Sequence, residues 1–305
     1  MARRPSRAAA AELLTRHRDA PPGGRTVYAV HPGALPVGSW ANLAGALSPE
    51  TGFAVLDLGA IPAYLEAALE PGASDLTVDR LIDILVGAYR TAAPAPGEGP
   101  VTFVGWSFGG VIAHGMTERL APEERPDSVV LLDSIAPTDA YKYAEDDGID
   151  PHLVLRWFAM FLGAKRGREV HTRPLPAGTD VRAGLELVLQ DAVAAGALPP
   201  GTPPQSMWKL FDAYTAGLLR NNRLTLPYQP ARATVPLAQL KAQHSLIPTD
   251  PTLGWSELAD HAVSAHTVPG DHYTMLIRPD ASRAIAGLIP ASRPAQLVKT
   301  RRDTP

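Results

Sequence analysis

Residues 105–109 read Gly105-Trp106-Ser107-Phe108-Gly109, and they lie between an apolar run with β character, Val101-Thr102-Phe103-Val104, and a helix-forming run that begins at Gly110. A serine at such a strand–turn–helix junction is held on a sharp, strained bend with its hydroxyl projecting above the sheet. Glycine is needed on both sides, because the bend leaves no room for side chains between strand and helix. The five residues alone occur in many chains. The flanking strand and helix, with an acid and a histidine downstream in the proper order, make the pattern specific.

From residue 26 the chain alternates strands and helices. Strands are expected over 26–31, 53–57, 101–104 and 128–132. Ser39 is expected to cap a helix running to about 46. Thr77 is expected to cap a long helix whose Val78, Leu81, Ile82, Leu85, Val86 and Tyr89 share one face. Apolar strands alternating with helices specify a mostly parallel sheet covered on both faces. The alternation stops at about residue 138, and up to 223 only helices are expected, over 152–162, 181–194 and 205–219. Strands resume over 235–241 and 262–268, and Asp280 is expected to cap a last helix over 281–288. The fold class is therefore α/β, with one domain over 26–290 interrupted by a helical insertion at about 138–223. Residues 1–25 read as an extension or linker, in which 6–18, capped by Ser6, can form a short helix. Residues 291–305 read as a tail.

Composition narrows the chemistry. With 305 residues, 45% of them hydrophobic, the chain can bury one large core. It contains no cysteine, which excludes disulfides, a thiol nucleophile and thiolate metal sites; no metal and no bound cofactor is expected. A net charge of -3 gives no reason to expect nucleic acid. No run of about 18 apolar residues suggests a membrane span. Glu12, Arg16, His17 and Arg18 stand where a signal peptide would carry its apolar core, so a cytoplasmic protein is expected.

A serine hydroxyl attacks only when a base removes its proton, and that base must be oriented by an acid. In α/β-hydrolases, whose elbow this one resembles, the chain order is serine, acid, histidine. His272, in Pro269-Gly270-Asp271-His272-Tyr273, lies in the loop between the last strand and the last helix, where an imidazole can reach the serine. The other histidines fit less well: His31 precedes the serine, His114 lies along the nucleophile helix, His152 and His171 fall in the insertion, His244 follows the fifth strand, and His261 and His266 lie before or within the last strand. The acid expected is Asp133, at the carboxyl end of the strand after the serine, where catalytic groups of open α/β sheets gather. Asp250 and Glu257, after the next strand, are its rivals. Asp271 adjoins His272 too closely on a tight loop to orient it. The oxyanion of the tetrahedral intermediate needs backbone N–H donors, expected from Phe108 and from the loop His31-Pro32-Gly33-Ala34-Leu35, where Pro32 has none, so Gly33 or Ala34 must serve and Ala34 is favoured. Losing one such donor costs about 3–4 kcal/mol.

The segments Val-Gly-Trp-Ser-Phe-Gly-Gly-Val-Ile-Ala, Leu-Leu-Asp-Ser-Ile-Ala-Pro and Pro-Gly-Asp-His-Tyr-Thr-Met-Leu, with the helical insertion between the last two, resemble thioesterase domains of polyketide and non-ribosomal peptide synthetases, members of the α/β-hydrolase superfamily. The resemblance covers about 26–290. It implies an α/β-hydrolase fold, in which the insertion is a lid. It also implies a partner, an acyl or peptidyl carrier protein presenting its chain as a thioester on phosphopantetheine, which Ser107 attacks to give an acyl-serine. Trp157, Phe161, Trp208, Phe211 and Tyr214 would line the acyl site, although helical spacing alone would also place them in lid packing. Trp106 departs from the histidine or tyrosine frequent at that position, which implies altered packing at the elbow. A small-molecule esterase or acyltransferase using the same residues, and an idle module that only docks a carrier, remain the alternatives.

Overall fold

The computed structural model describes residues 12–70, 75–93, 95, 98–142, 150–176 and 178–289. Its strands are β1 (Leu14–Arg18), β2 (Thr26–His31), β3 (Gly52–Asp57), β4 (Val101–Trp106), β5 (Ser128–Leu132), β6 (Leu237–His244) and β7 (Ser264–Asp271). They form one sheet in the order β1-β3-β2-β4-β5-β6-β7. β1 is antiparallel to β3, and the other pairings are parallel. The helices are α1 (Ala41–Ala46), α2 (Pro62–Leu69), α3 (Val78–Ala92), α4 (Phe108–Arg119), α5 (Pro151–Ala164), α6 (Val181–Ala194), α7 (Pro204–Thr225) and α8 (Pro279–Leu288).

The period of two in each strand divides the interior into two cores. Val27, Ala29, Val104, Val130 and Leu132 face α1, α8 and the insertion helices α5–α7. Tyr28, Val30, Phe103, Val129 and Leu131 face α2, α3 and α4. The central strands β2 and β4 are buried along their whole length, which is why they read as unbroken apolar runs. Thr77 caps α3 as expected, its hydroxyl accepting from the Arg80 N–H at 3.1 Å. Asp150 and Asp180 cap α5 and α6 in the same way. Among the described residues, no helix is long and apolar enough to cross a membrane.

Three local expectations are corrected. Leu14–Arg18, expected in a helix, is an edge strand registered on β3, with Leu14 opposite Leu56. Its side chains are largely exposed, so burial imposes no pattern on them; Arg18 instead donates to the carbonyls of Thr51 and Ser48. Residues 6–11 of that expected helix, and the tail at 291–305, lie outside the described residues. Ser39 makes no capping bond and sits inside a 3-10 turn, Val37–Trp40, that leads into α1. Asp280 is in the first turn of α8 rather than at its cap, because Pro279, with its fixed φ and missing N–H, takes the first helical position.

Candidate active site

The elbow is as compressed as its glycines imply. Ser107 has φ 54° and ψ −130°, a region that only a tightly determined environment sustains for a residue with a side chain. A Cβ on Gly105 would overlap the Gly110 backbone, and one on Gly109 would overlap the Val30 carbonyl. Gly110 is a third obligatory glycine, since a Cβ there would run into the Ser134 side chain. The elbow thus lies between the ends of β2 and β5 and has little freedom to relax.

The sheet ladder continues past the strand ends and places two of the site residues. The Ser107 N–H donates to the Leu132 carbonyl at 3.0 Å, and the Asp133 N–H donates to the Leu240 carbonyl at 2.8 Å. Asp133 also has a positive φ, 43°, which turns its carboxylate sideways at the tip of β5. One oxygen, Oδ1, accepts from the Ala242 N–H at 3.1 Å. The other, Oδ2, lies 2.7 Å from His272 Nδ1. His272 Nε2 lies 3.1 Å from Ser107 Oγ. An ionised carboxylate can only accept, so the imidazole proton sits on Nδ1 and Nε2 faces the hydroxyl with a free lone pair. Asp133 and His272 are buried, at 1% and 2% exposure, while Ser107 is only part-buried. The chain Asp133–His272–Ser107 can therefore draw a proton from a hydroxyl that a substrate can reach.

The loop carrying His272 is built from its own neighbours. Asp271 Oδ1 accepts from the N–H groups of Tyr273 and Thr274 at 2.9 and 2.8 Å, and the Asp271 N–H donates to Thr274 Oγ1 at 2.8 Å. Asp271 thus shapes the turn, while Asp133 meets the imidazole. Trp106 holds the same loop from below: its indole N–H donates to the His272 carbonyl at 2.8 Å, and its ring lies 5.4 Å from the imidazole, centroid to centroid. The bond spans 166 positions, and no local pattern signals it.

The rival groups are engaged elsewhere. Burial pushes the Asp250 carboxyl up, but hydrogen bonds from Thr252, Tyr141 and Gly254 outweigh it and leave the pKa below its ordinary value. Asp250 organises its own loop. Glu257 is exposed in a 3-10 turn. His114 is buried against Trp255, with ring centroids 5.2 Å apart, and burial lowers its pKa to about 4. His152 bonds to the Thr179 carbonyl, His171 and His244 meet each other, and His261 and His266 are exposed.

His31, which precedes the serine in the chain, packs against the elbow. It stacks on Trp106 at 6.0 Å with an interplanar angle of 19°. Trp40 donates its indole N–H to His31 Nδ1 at 3.1 Å, so Nε2 carries the proton and donates to the Leu35 carbonyl at 2.6 Å. Burial lowers the pKa of His31, in keeping with a neutral ring. That bond closes the loop containing Ala34, directly after Gly33 with φ 83°. Phe108 is the first residue of α4, so its N–H has no acceptor within the helix.

The lid residues divide into two groups. Phe161 and Tyr214 meet the site: Phe161 packs on Tyr273 at 5.6 Å, and the Tyr214 hydroxyl lies 2.9 Å from that of Tyr273, the neighbour of His272. Phe211 packs edge-on to Phe158 at 5.2 Å, and the Arg182 guanidinium covers the Trp208 ring at 4.4 Å. Trp157, at 3% exposure, is buried on the insertion helix α5.

Comparisons with known proteins agree with this architecture. A segment of 229 residues is 24% identical to orsellinic acid synthase of Emericella nidulans, covering 70% of this chain. The chain spans about a tenth of the length of that curated relative. A holo four-domain nonribosomal peptide synthetase bound to AMP and glycine superposes with a TM-score of 0.60 at 22% identity, over 90% of this chain and 20% of that one. The Vlm2 thioesterase domain superposes with a TM-score of 0.53 at 19% identity, over 90% and 95% of the two chains. BorB, the type II thioesterase of the borrelidin biosynthetic cluster, gives 0.53 at 18% identity, over 91% and 94%. These likenesses show a shared α/β-hydrolase fold. The Thioesterase domain family matches residues 25–292, and the chain belongs to that family.

Proposed function

We propose that the protein releases an acyl, polyketide or peptidyl chain from the phosphopantetheine thioester of a carrier protein, through an acyl-serine on Ser107. The observation that supports this reading best is the hydrogen-bonded chain from Asp133 through His272 to a part-exposed Ser107. His272 Nε2 takes the hydroxyl proton as Ser107 Oγ attacks the thioester carbonyl. The oxygen gains negative charge and is met by the N–H groups of Phe108 and Ala34. Asp133 steadies the imidazolium. Collapse breaks the carbon–sulfur bond, and the Nε2 proton goes to the departing sulfur. Water, or a hydroxyl or amine of the chain itself, then gives its proton to Nε2 and attacks the ester; the acyl carbon–Oγ bond breaks, and the Nε2 proton returns to Ser107 Oγ.

A carrier-bound substrate suits the lid: Phe161 and Tyr214, packed on Tyr273, bring apolar surface up to the histidine loop. Trp157, Trp208 and Phe211 would line the acyl path only if the lid helices part. The test compares turnover of acyl-N-acetylcysteamine and acyl-carrier thioesters with that of simple oxygen esters. Faster Ser107-dependent turnover of thioesters is expected. Ser107-dependent turnover confined to oxygen esters would identify a small-molecule esterase, and no Ser107 chemistry on either would leave only a docking module.

A further inference from the structure

Lid helix α7 touches the site at two points seven residues apart, two turns along one helical face. At the first, Tyr214 meets Tyr273 beside the histidine. At the second, Asn221 Oδ1 accepts from the Tyr64 hydroxyl at 2.8 Å. Tyr64 belongs to α2 and is fully buried. The same hydroxyl lies 3.2 Å from the Pro32 carbonyl, the peptide unit that leads into Gly33 and Ala34. Its ring stacks on Phe108 with centroids 6.1 Å apart and planes 3° from parallel. One side chain therefore contacts both segments expected to supply the oxyanion donors.

Tyr64 is itself held by an unusual group. The Arg220 guanidinium lies 3.5 Å from the Tyr64 ring centroid and donates to the Tyr64 carbonyl at 3.1 Å. It also donates twice to Asn221 Oδ1. Arg220 is only 7% exposed, and its partners in these bonds are amide oxygens and a π face rather than a carboxylate. Burying a guanidinium in this way is costly. That cost is spent on fixing one tyrosine between lid and elbow. Burial raises the Tyr64 phenol to about 12, so the hydroxyl stays a donor through the neutral range.

We propose that Tyr64 is a positioning residue for the oxyanion hole: its ring supports Phe108, its hydroxyl supports Pro32, and Arg220 and Asn221 of the lid clamp it, so that the docked lid completes the site. This rests on the acyl-serine reading above. The phenolic proton is shared between the loop carbonyl and the lid amide, which links the position of α7 to the separation of the two backbone donors. Such donors act only when aimed at the developing charge, and displacement by about 1 Å can cost about 10²-fold in rate.

The test is Tyr64→Phe, which keeps the ring and its stacking and removes only the hydroxyl. With an acyl-N-acetylcysteamine substrate, kcat is expected to fall about 10-fold with KM within about twofold. Affinity for an alkyl boronic acid, whose serine adduct puts an oxygen in the hole, is expected to fall by a similar factor, while the pH profile of kcat/KM keeps its shape. Arg220→Lys, which loses the planar fork over the ring, is expected to lower kcat and boronate affinity together by a smaller factor. It supplies the answer if Tyr64→Phe does not fold. Parent-like kcat in either folded variant, or a loss confined to KM with boronate affinity intact, overturns the proposal. Acyl-Ser107 formed by the parent protein at the same rate as by Tyr64→Phe defeats this inference alone, whereas no acyl-Ser107 in the parent protein defeats the acyl-serine reading and this inference with it.

Discussion

Replacing Asp133 with asparagine keeps the shape of the side chain and reverses half of its hydrogen bonding. In the native site Oδ1 accepts from the Ala242 N–H and Oδ2 accepts from His272 Nδ1. Both partners are donors, and the site is buried, with Asp133 at 1% exposure. An asparagine amide has only one acceptor to offer. If its oxygen stays on Ala242, its NH₂ points at Nδ1 and must donate, so the imidazole proton moves to Nε2 and the ring can no longer take a proton from Ser107. If the amide flips, the ring keeps its tautomer but NH₂ confronts the Ala242 N–H in a buried place, which costs about 1–3 kcal/mol. The first arrangement should dominate, and the tautomer penalty is then the one seen when the acid of a serine-protease triad is made an amide, about 10⁴ in kcat. That factor is about 5.5 kcal/mol of transition-state stabilisation. The assay is single-turnover acylation by an acyl-N-acetylcysteamine thioester, followed by intact mass, with a thermal melt to show that the variant is folded. Acylation within tenfold of the parent protein by a folded variant would refute the assignment of Asp133, and Asp250 would be the next carboxylate to test.

Trp106→Phe removes the indole N–H that bonds the His272 carbonyl; the buried carbonyl loses its partner, so stability should fall by about 1–3 kcal/mol in denaturant unfolding, with a lower kcat as the loop loosens, and unchanged values of both would contradict the account of this residue. His114 carries a pKa of about 4 in the folded protein because of burial, against an ordinary 6.5. Between those values the unfolded chain binds a proton that the folded protein refuses, so its effect is to lower stability as pH falls through about 6.5, reaching about 3 kcal/mol near pH 4. Urea unfolding at pH 7.5 and 5 should therefore show a loss for the native chain about 2 kcal/mol larger than for His114→Leu; equal losses in the two proteins would contradict it.

The parts of this structure legible in the sequence are those set by local sterics or a single periodicity. The elbow is one, because the bend at Ser107 excludes side chains on Gly105 and Gly109 whatever surrounds it. The capped helix α3 is another, since Thr77 and the apolar face of Val78, Leu81 and Leu85 agree. The order serine, aspartate, histidine selected a trio that the fold brings within hydrogen-bond distance. What escaped depends on contacts distant in the chain. β1 exists because β3 and carbonyls at Ser48, Thr51 and Ala92 receive it, and its exposed Arg16 and His17 show no strand pattern. Trp106 and His31 show no local pattern for their bonds to the His272 and Leu35 carbonyls, which only the assembled sheet brings into reach. The constraint on Gly110 comes from the Ser134 side chain, just past the end of β5, and no local pattern signals it.

The most direct measurement is intact-mass analysis after mixing the protein with an acyl thioester, with peptide mapping of any adduct and Ser107→Ala in parallel. An increment equal to one acyl group, mapped to Ser107 and missing from Ser107→Ala, is the predicted result. An adduct that persists in Ser107→Ala, or turnover of the thioester by that variant at the native rate, would contradict the account.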